Sequence, residues 1–173
     1  MKLLINLKYF FKVIRRCILI INSFKMKNIF FSLILFSISS IFSQDITFVN
    51  SELHLENDAP FSEATIVNGI IYLSGEIGTS PNDKVVDGGI IPETIQALSN
   101  IKNKLERMGS SIDNVFKCTC MLSEIKDWPE MSKAYKTFFK EEKLPSRSAF
   151  AGSGLALNAK IEIECMATLK NKY

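Results

Sequence analysis

The chain has one histidine, His54, and no Cys-x-x-Cys spacing among its four cysteines. Protein zinc is held by clustered Cys and His, so these shortages argue against a metal site. His54 has no nucleophilic residue near it in sequence and is expected at the surface. Acidic residues are absent before Asp45, although residues 1–44 hold 7 of the 21 Lys and Arg. Residues 45–173 therefore carry 14 basic against 18 acidic groups, a net of −4. That part has no basic run, which argues against a dedicated nucleic-acid surface.

The missing acids at the start divide the chain. Met26 and Lys27 read as the start and positive region of a secretory signal. Ile29 to Phe42 is 14 residues of apolar and Ser character, without charge. That is too short to span a bilayer comfortably and suits the apolar region of a signal peptide. Cleavage is expected near Ser43, with export to the periplasm. A cytoplasmic chain, or one anchored in a membrane by an uncleaved leader, is the alternative. Residues 1–25 are a further basic, apolar leader of doubtful status. Residues 45–173 have the length of one domain with its own core. Their three cysteines, Cys118, Cys120 and Cys165, read as buried strand residues, which sits awkwardly with an oxidising compartment.

Within that domain the apolar pattern alternates between periods of two and 3.6. Ile46 to Val49 reads as a strand, and Leu53 to Ala59 as an irregular loop. Asn68-Gly69 separates two β-rich runs and predicts a tight hairpin, because both turn positions need positive φ. Ile91, Ile95, Leu98, Ile101, Leu105 and Met108 form one helical stripe, with Pro92 and Glu93 in the first turn and Gly109 at the C-cap. Val115 to Leu122 reads as a strand with Phe116, Cys118 and Cys120 on one face. Trp128-Pro129-Glu130 opens a second helix whose Met131, Ala134, Tyr135, Phe138 and Phe139 are core residues. The order β-β-β-α-β-α-β-β predicts an α+β domain, one mixed sheet with both helices on one face. The other face would be bare, carrying Glu162 and Glu164, and self-association is the simplest way to cover it.

Two final strands carry the chemistry. Lys160, Glu162, Glu164 and Met166 share one face of the last strand, because strand side chains alternate. Arg147 begins the strand before it. Guanidinium binds carboxylate through two parallel hydrogen bonds, and a carboxylate held opposite it can move a proton to or from water. Such a pair suits a small carboxylic acid. The same residues also fit a cross-strand Arg–Glu ion pair beside a solvated second Glu.

Residues 59–169 resemble the RidA/YjgF reactive intermediate deaminase family. The resemblance rests on Ala59-Pro60-Phe61-Ser62-Glu63-Ala64, Tyr72-Leu73-Ser74-Gly75-Glu76-Ile77 and the helix Thr94 to Gly109 with Ser110 to Val115. It continues in Tyr135-Lys136-Thr137-Phe138-Phe139, Pro145-Ser146-Arg147-Ser148 and Ile161-Glu162-Ile163-Glu164. The family implies a chorismate-mutase-like sheet backed by two helices, assembled as a homotrimer with sites in inter-subunit clefts. It implies hydrolysis of reactive 2-imino acids to 2-oxo acids and ammonia, with neither metal nor organic cofactor. The family's carboxylate-binding arginine falls on Arg147, its acid/base glutamate on Glu162, and its site serine and glycine on Ser74 and Gly75.

Three positions depart from the family pattern. Phe61 stands where deaminating members have tyrosine, Ser132 where asparagine is common, and Ala149 where Cys, Thr or Ser is usual. The clamp and base are retained while polar contacts to substrate are lost. Besides a deaminase, the chain therefore also reads as a non-catalytic, ligand-binding or holdase-like trimer. Endoribonuclease activity, another label of the family, ranks last because the domain is acidic.

Overall fold

Asn68 and Gly69 take φ of 51° and 78°, and that turn sets the first register of the sheet. It joins β2 (Ala64–Val67) to β3 (Ile70–Leu73), pairing Thr65 with Tyr72. β1 (Ile46–Val49) lies antiparallel on β2. The computed structural model describes residues 12–20, 22, 46–82 and 84–170. The chain divides into two units at Ser43 and Gln44. Of the first unit, residues 12–20 are helical and exposed. The expected signal segment, its cleavage point near Ser43 and most of the leader lie outside the described residues. Among the described residues no helix is long and apolar enough to cross a membrane.

The segment expected to be an irregular loop contains α1 (Glu52–Glu56). Ser51 caps it, its hydroxyl accepting from the His54 N–H at 3.2 Å. Five residues are too few for a periodic signal, so only the cap could have announced this helix.

β4 (Glu76–Ile77) continues the line of β3, and both pair with β7 (Ile161–Thr168). Between the two pairings Leu73, Ser74 and Gly75 face only Cys165 and Glu164. The extra residue is a bulge, which interrupts the ladder and re-aims the side chains around it. The sheet runs β1-β2-β3-β7-β5-β6, with β5 (Val115–Leu122) antiparallel to β7 and parallel to β6 (Ser146–Ala151).

α2 (Ile90–Arg107) and α3 (Trp128–Lys136) share one core with Ile161, Ile163, Cys165 and Ala167 of β7. The buried stripe of α2 is Ile90, Thr94, Ala97, Leu98, Ile101 and Leu105. This corrects the expected stripe, since Ile91 and Ile95 are 43% and 41% exposed. Polar residues enter the core because they are satisfied there. Thr94 donates to the Ile90 carbonyl at 2.6 Å, and the buried Glu93 accepts from the Lys160 N–H at 2.6 Å. Apolar spacing cannot anticipate such partners. In β5 an irregularity between Val115 and Lys117 leaves Phe116 exposed, not in line with Cys118 and Cys120 as expected. At the end of α2, Gly109 takes φ of 78° and Ser110 N–H reaches the Leu105 carbonyl, as a glycine C-cap should.

Two buried carboxylates, Glu63 and Glu76, are held by cations from α2. Lys104 pairs with Glu76 and lies 3.5 Å from Glu63, which Arg107 also meets at 3.2 Å. Burial pushes the Glu76 carboxyl up against the pull of Lys104. Burial opposes the Glu63 charge too, but Lys104, Arg107 and the Ser51 N–H together hold its carboxyl below the usual range. Lys104→Met leaves two buried carboxylates short of a cation and should cost about 2–3 kcal/mol in urea unfolding at neutral pH. The loss should shrink as pH falls towards the carboxylate range, because a protonated carboxyl no longer needs the cation. An unchanged unfolding midpoint at neutral pH would show the network to be dispensable.

Candidate active site

Arg147 lies beside Cys118 in the parallel pairing of β5 and β6, and Cys118 faces the helices. The arginine therefore points to the helix-covered side of the sheet. α3 receives it there. Trp128, Met131, Ser132 and Tyr135 follow one another at helical spacing, so a single helix face meets the guanidinium. One terminal nitrogen donates to Ser132 Oγ at 2.9 Å, and another lies 3.6 Å from the Met131 sulfur. The guanidinium carbon is 4.8 Å from the Tyr135 ring centre and 5.5 Å from that of Trp128. Two aromatic faces and one hydroxyl thus fix the plane of the fork. Among the described residues Arg147 forms no ion pair. Its charge is oriented without being neutralised. Ala149, two residues on, lines an open cavity of about 470 Å³ with Trp128 and Pro129.

Glu162 stands across from Met121 of β5 and Ile77 of β4, on the opposite, helix-free face. One chain therefore does not hold Arg147 and Glu162 on a common face, and the cross-strand Arg–Glu pair that the sequence left open is absent. The Glu162 carboxylate lies directly over Gly75, where any Cβ would collide with it. The bulge of β3 and β4 makes that approach, so Gly75 is required by space and not by its φ.

Ser74 sits beside it, donating from Oγ to the Ser62 carbonyl at 2.7 Å. Phe61, Ser62, Tyr72, Ser74 and Glu164 line a cavity of about 350 Å³ on this face. His54, expected at the surface, is half-buried there against Phe61. Its ring packs edge-on against the Phe61 ring at 5.3 Å, and its Nε2 contacts the Phe61 carbonyl. These contacts pack His54 behind the aromatic wall of the cavity. Phe48 and Phe150 project from the same sheet face, 68% and 50% exposed.

The sequence-derived site residues thus fall into two sets. Arg147, Ser132 and Ala149 gather between β6 and α3. Glu162, Gly75, Ser74 and Phe61 gather on the bare face around the bulge. Sequence reasoning missed Trp128, Tyr135, Tyr72 and Glu164. Tyr135 was expected only as core, yet it does both jobs, burying one ring face and stacking the other on Arg147. Among the described residues no group of three or more His, Cys, Asp or Glu is placed to hold a metal.

A mixed sheet backed by two helices, with an oriented guanidinium on one side and a carboxylate over a glycine on the other, makes this an α+β scaffold with a candidate site on each face of its sheet. Residues 52–169 match the family described as Endoribonuclease L-PSP. The chain belongs to this family, the RidA/YjgF proteins. It is 38% identical over 109 residues to the human 2-iminobutanoate/2-iminopropanoate deaminase, covering 62% of this chain and 79% of that protein. It is 39% identical over 113 residues to the putative regulator AldR of Lactococcus lactis, covering 65% and 89%. The crystal structure of yeast Mmf1 superposes with a TM-score of 0.64 at 30% identity, over 73% of this chain and all of that one. The family's homologues thus include imine deaminases, and proteins named for other roles stand beside them.

Proposed function

We propose that this chain hydrolyses 2-imino acids to 2-oxo acids and ammonia, in clefts completed between copies of itself. The observation that carries this reading is the pre-oriented, unpaired Arg147 guanidinium, held by Ser132, Trp128 and Tyr135. A planar cation with its fork free is suited to a substrate carboxylate. Arg147 and Glu162 leave opposite faces of the sheet, so a site using both draws them from two chains. The bare face, with its exposed Phe48, Tyr72 and Phe150, favours such packing in a homotrimer.

In that cleft Arg147 binds the carboxylate and sets the imine carbon near the Glu162 carboxylate of the neighbouring copy. An imine carbon is already electrophilic, so positioning and proton transfer suffice. Glu162 takes a proton from water as its oxygen adds to that carbon. The imine nitrogen gains that proton, which gives a tetrahedral carbinolamine; Glu162 then relays the hydroxyl proton to the same nitrogen, and the C–N bond breaks to release a 2-oxo acid and ammonia. No step requires a metal or organic cofactor.

A second reading, a ligand-binding trimer without turnover, is favoured by Phe61, Ser132 and Ala149. Phe61 and Ala149 carry no polar side-chain atom, and Ser132 offers in place of an amide one hydroxyl, which already accepts from Arg147. One assay separates the two readings. The full chain is added to a pyridoxal-phosphate dehydratase that releases 2-imino acid in situ, and 2-oxo acid formation is followed. Faster release supports the deaminase. An unchanged rate together with saturable binding of a 2-oxo acid supports the binding module. Sedimentation equilibrium should return three times the chain mass, and a stable monomer at micromolar concentration would remove the shared cleft.

A further inference from the structure

We infer that Cys118 and Cys165 form a buried cross-strand disulfide that ties β5 to β7. The two residues stand directly opposite one another in the antiparallel register, and their sulfurs are 2.6 Å apart. That separation lies well inside the van der Waals contact of two sulfurs. Directly paired antiparallel residues have Cα atoms about 4.5–5.5 Å apart, within the roughly 4.4–6.8 Å that a disulfide bridges. Cys120, on the same face two residues on, pairs with Ile163 and has no cysteine opposite. Geometry thus selects one pair from three cysteines and leaves Cys120 as the thiol without a partner cysteine across the strand. It also fits a thiol-bearing core to the oxidising compartment that the signal-like residues 26–44 lead one to expect.

Both sulfurs stand as thiols in the structure, and their residues are essentially inaccessible, at 0% and 2% exposure. An oxidant cannot reach them once the sheet has closed, so the bond forms during folding. The chemistry is thiol–disulfide exchange with a small-molecule or protein disulfide. The Cys118 sulfur, as thiolate, attacks one sulfur of that disulfide and expels the other half as a thiolate. The Cys165 thiolate then attacks the Cys118 sulfur of the mixed disulfide and expels the second half. Two thiols are oxidised, one external disulfide is reduced, and the two protons finish on the released thiols.

The bond has a position as well as a strength. Cys118 is the lateral neighbour of Arg147, and β7 carries Glu162 three residues before Cys165. A cross-link here fixes the strand beneath the guanidinium to the strand bearing the carboxylate. It closes a loop of 47 residues in sequence separation, long enough for a substantial constraint on the unfolded chain.

The test uses the full chain, unfolded and reduced, then refolded with reduced and oxidised glutathione. Free thiols are blocked and the protein is digested with trypsin without reductant. We expect the peptide of residues 118–126 joined to that of residues 161–170, with fragmentation placing the bond at Cys118. The oxidised protein should melt on the order of 10 °C above the same protein refolded with reductant. A Cys118→Ala/Cys165→Ala double variant should lose that redox dependence, while Cys120→Ala keeps it. A bond at Cys120 would overturn the inference. So would a folded product in which Cys118 and Cys165 are both found blocked as thiols.

Discussion

Arg147→Lys should lower kcat/KM for imine hydrolysis roughly 30- to 1000-fold, since losing a charge-assisted pair of hydrogen bonds costs about 2–4 kcal/mol. Lysine keeps the charge but presents a single ammonium in place of a rigid fork. It also cannot stack flat against Tyr135 and Trp128, nor hold Ser132 while presenting two parallel, coplanar donors to a ligand. Most of the loss should appear at saturating substrate if the clamp sets the imine carbon against its water. It should appear in KM if the clamp only captures. Stability is the necessary companion measurement. Arg147 is half-buried and has no carboxylate partner among the described residues, so the melting temperature should fall by only a few degrees. Wild-type turnover in this variant, or a loss that merely tracks a collapsed melt, would mean that Arg147 is a structural arginine. Ser132→Ala provides a graded comparison. It frees the guanidinium from one tether and leaves both aromatic walls, so its loss should be about 10-fold or less.

Much of this site is visible in the one-dimensional pattern, and the part that is not has definite causes. The alternation of residues 161–168 puts Glu162 and Glu164 on one face and Ile161, Ile163, Cys165 and Ala167 on the other, as the structure has them. Asn68-Gly69 announces its hairpin because the turn chemistry is local. The relation of Arg147 to Glu162 is not local. It depends on the pairing of β6 with β5, a parallel contact made across α3, and on the parity of that register. A shift of one residue would move Arg147 to the other face. Reading each strand alone places both residues near a sheet without saying which side. The bulge at Leu73 to Gly75 is hidden for a similar reason. Only the two separate pairings of β3 and β4 with β7 reveal the extra residue. The stripe of α2 fails differently. Ile91 and Ile95 look like core until Glu93 and Thr94 find buried partners and turn the helix. Apolar count is then overruled by hydrogen bonding.

Glu162→Gln should lower kcat by roughly 100-fold or more while leaving KM within a few-fold, because general-base transfer contributes about 10²- to 10⁴-fold and an amide cannot accept the proton. Glu164→Gln is the informative neighbour. Sequence alone gives it no chemical role, as a second carboxylate two residues along the same strand face. The structure gives it a place, since it lines the cavity with Phe61, Tyr72 and Ser74, while Glu162 lies over Gly75. Glu164→Gln should therefore act on substrate fit, raising KM about 3- to 10-fold with kcat little changed. Gly75→Ala separates the two carboxylates by space. A methyl group there would occupy the position of the Glu162 side chain and displace it, and its three nearest atoms all belong to Glu162. If Glu162 is the base, Gly75→Ala reproduces the kcat defect of Glu162→Gln, and combining the two adds little, as residues acting as one unit behave. If the large kcat loss instead follows Glu164→Gln, with Gly75→Ala near wild type, the acid/base role belongs to Glu164 and the water is activated inside the Phe61 cavity.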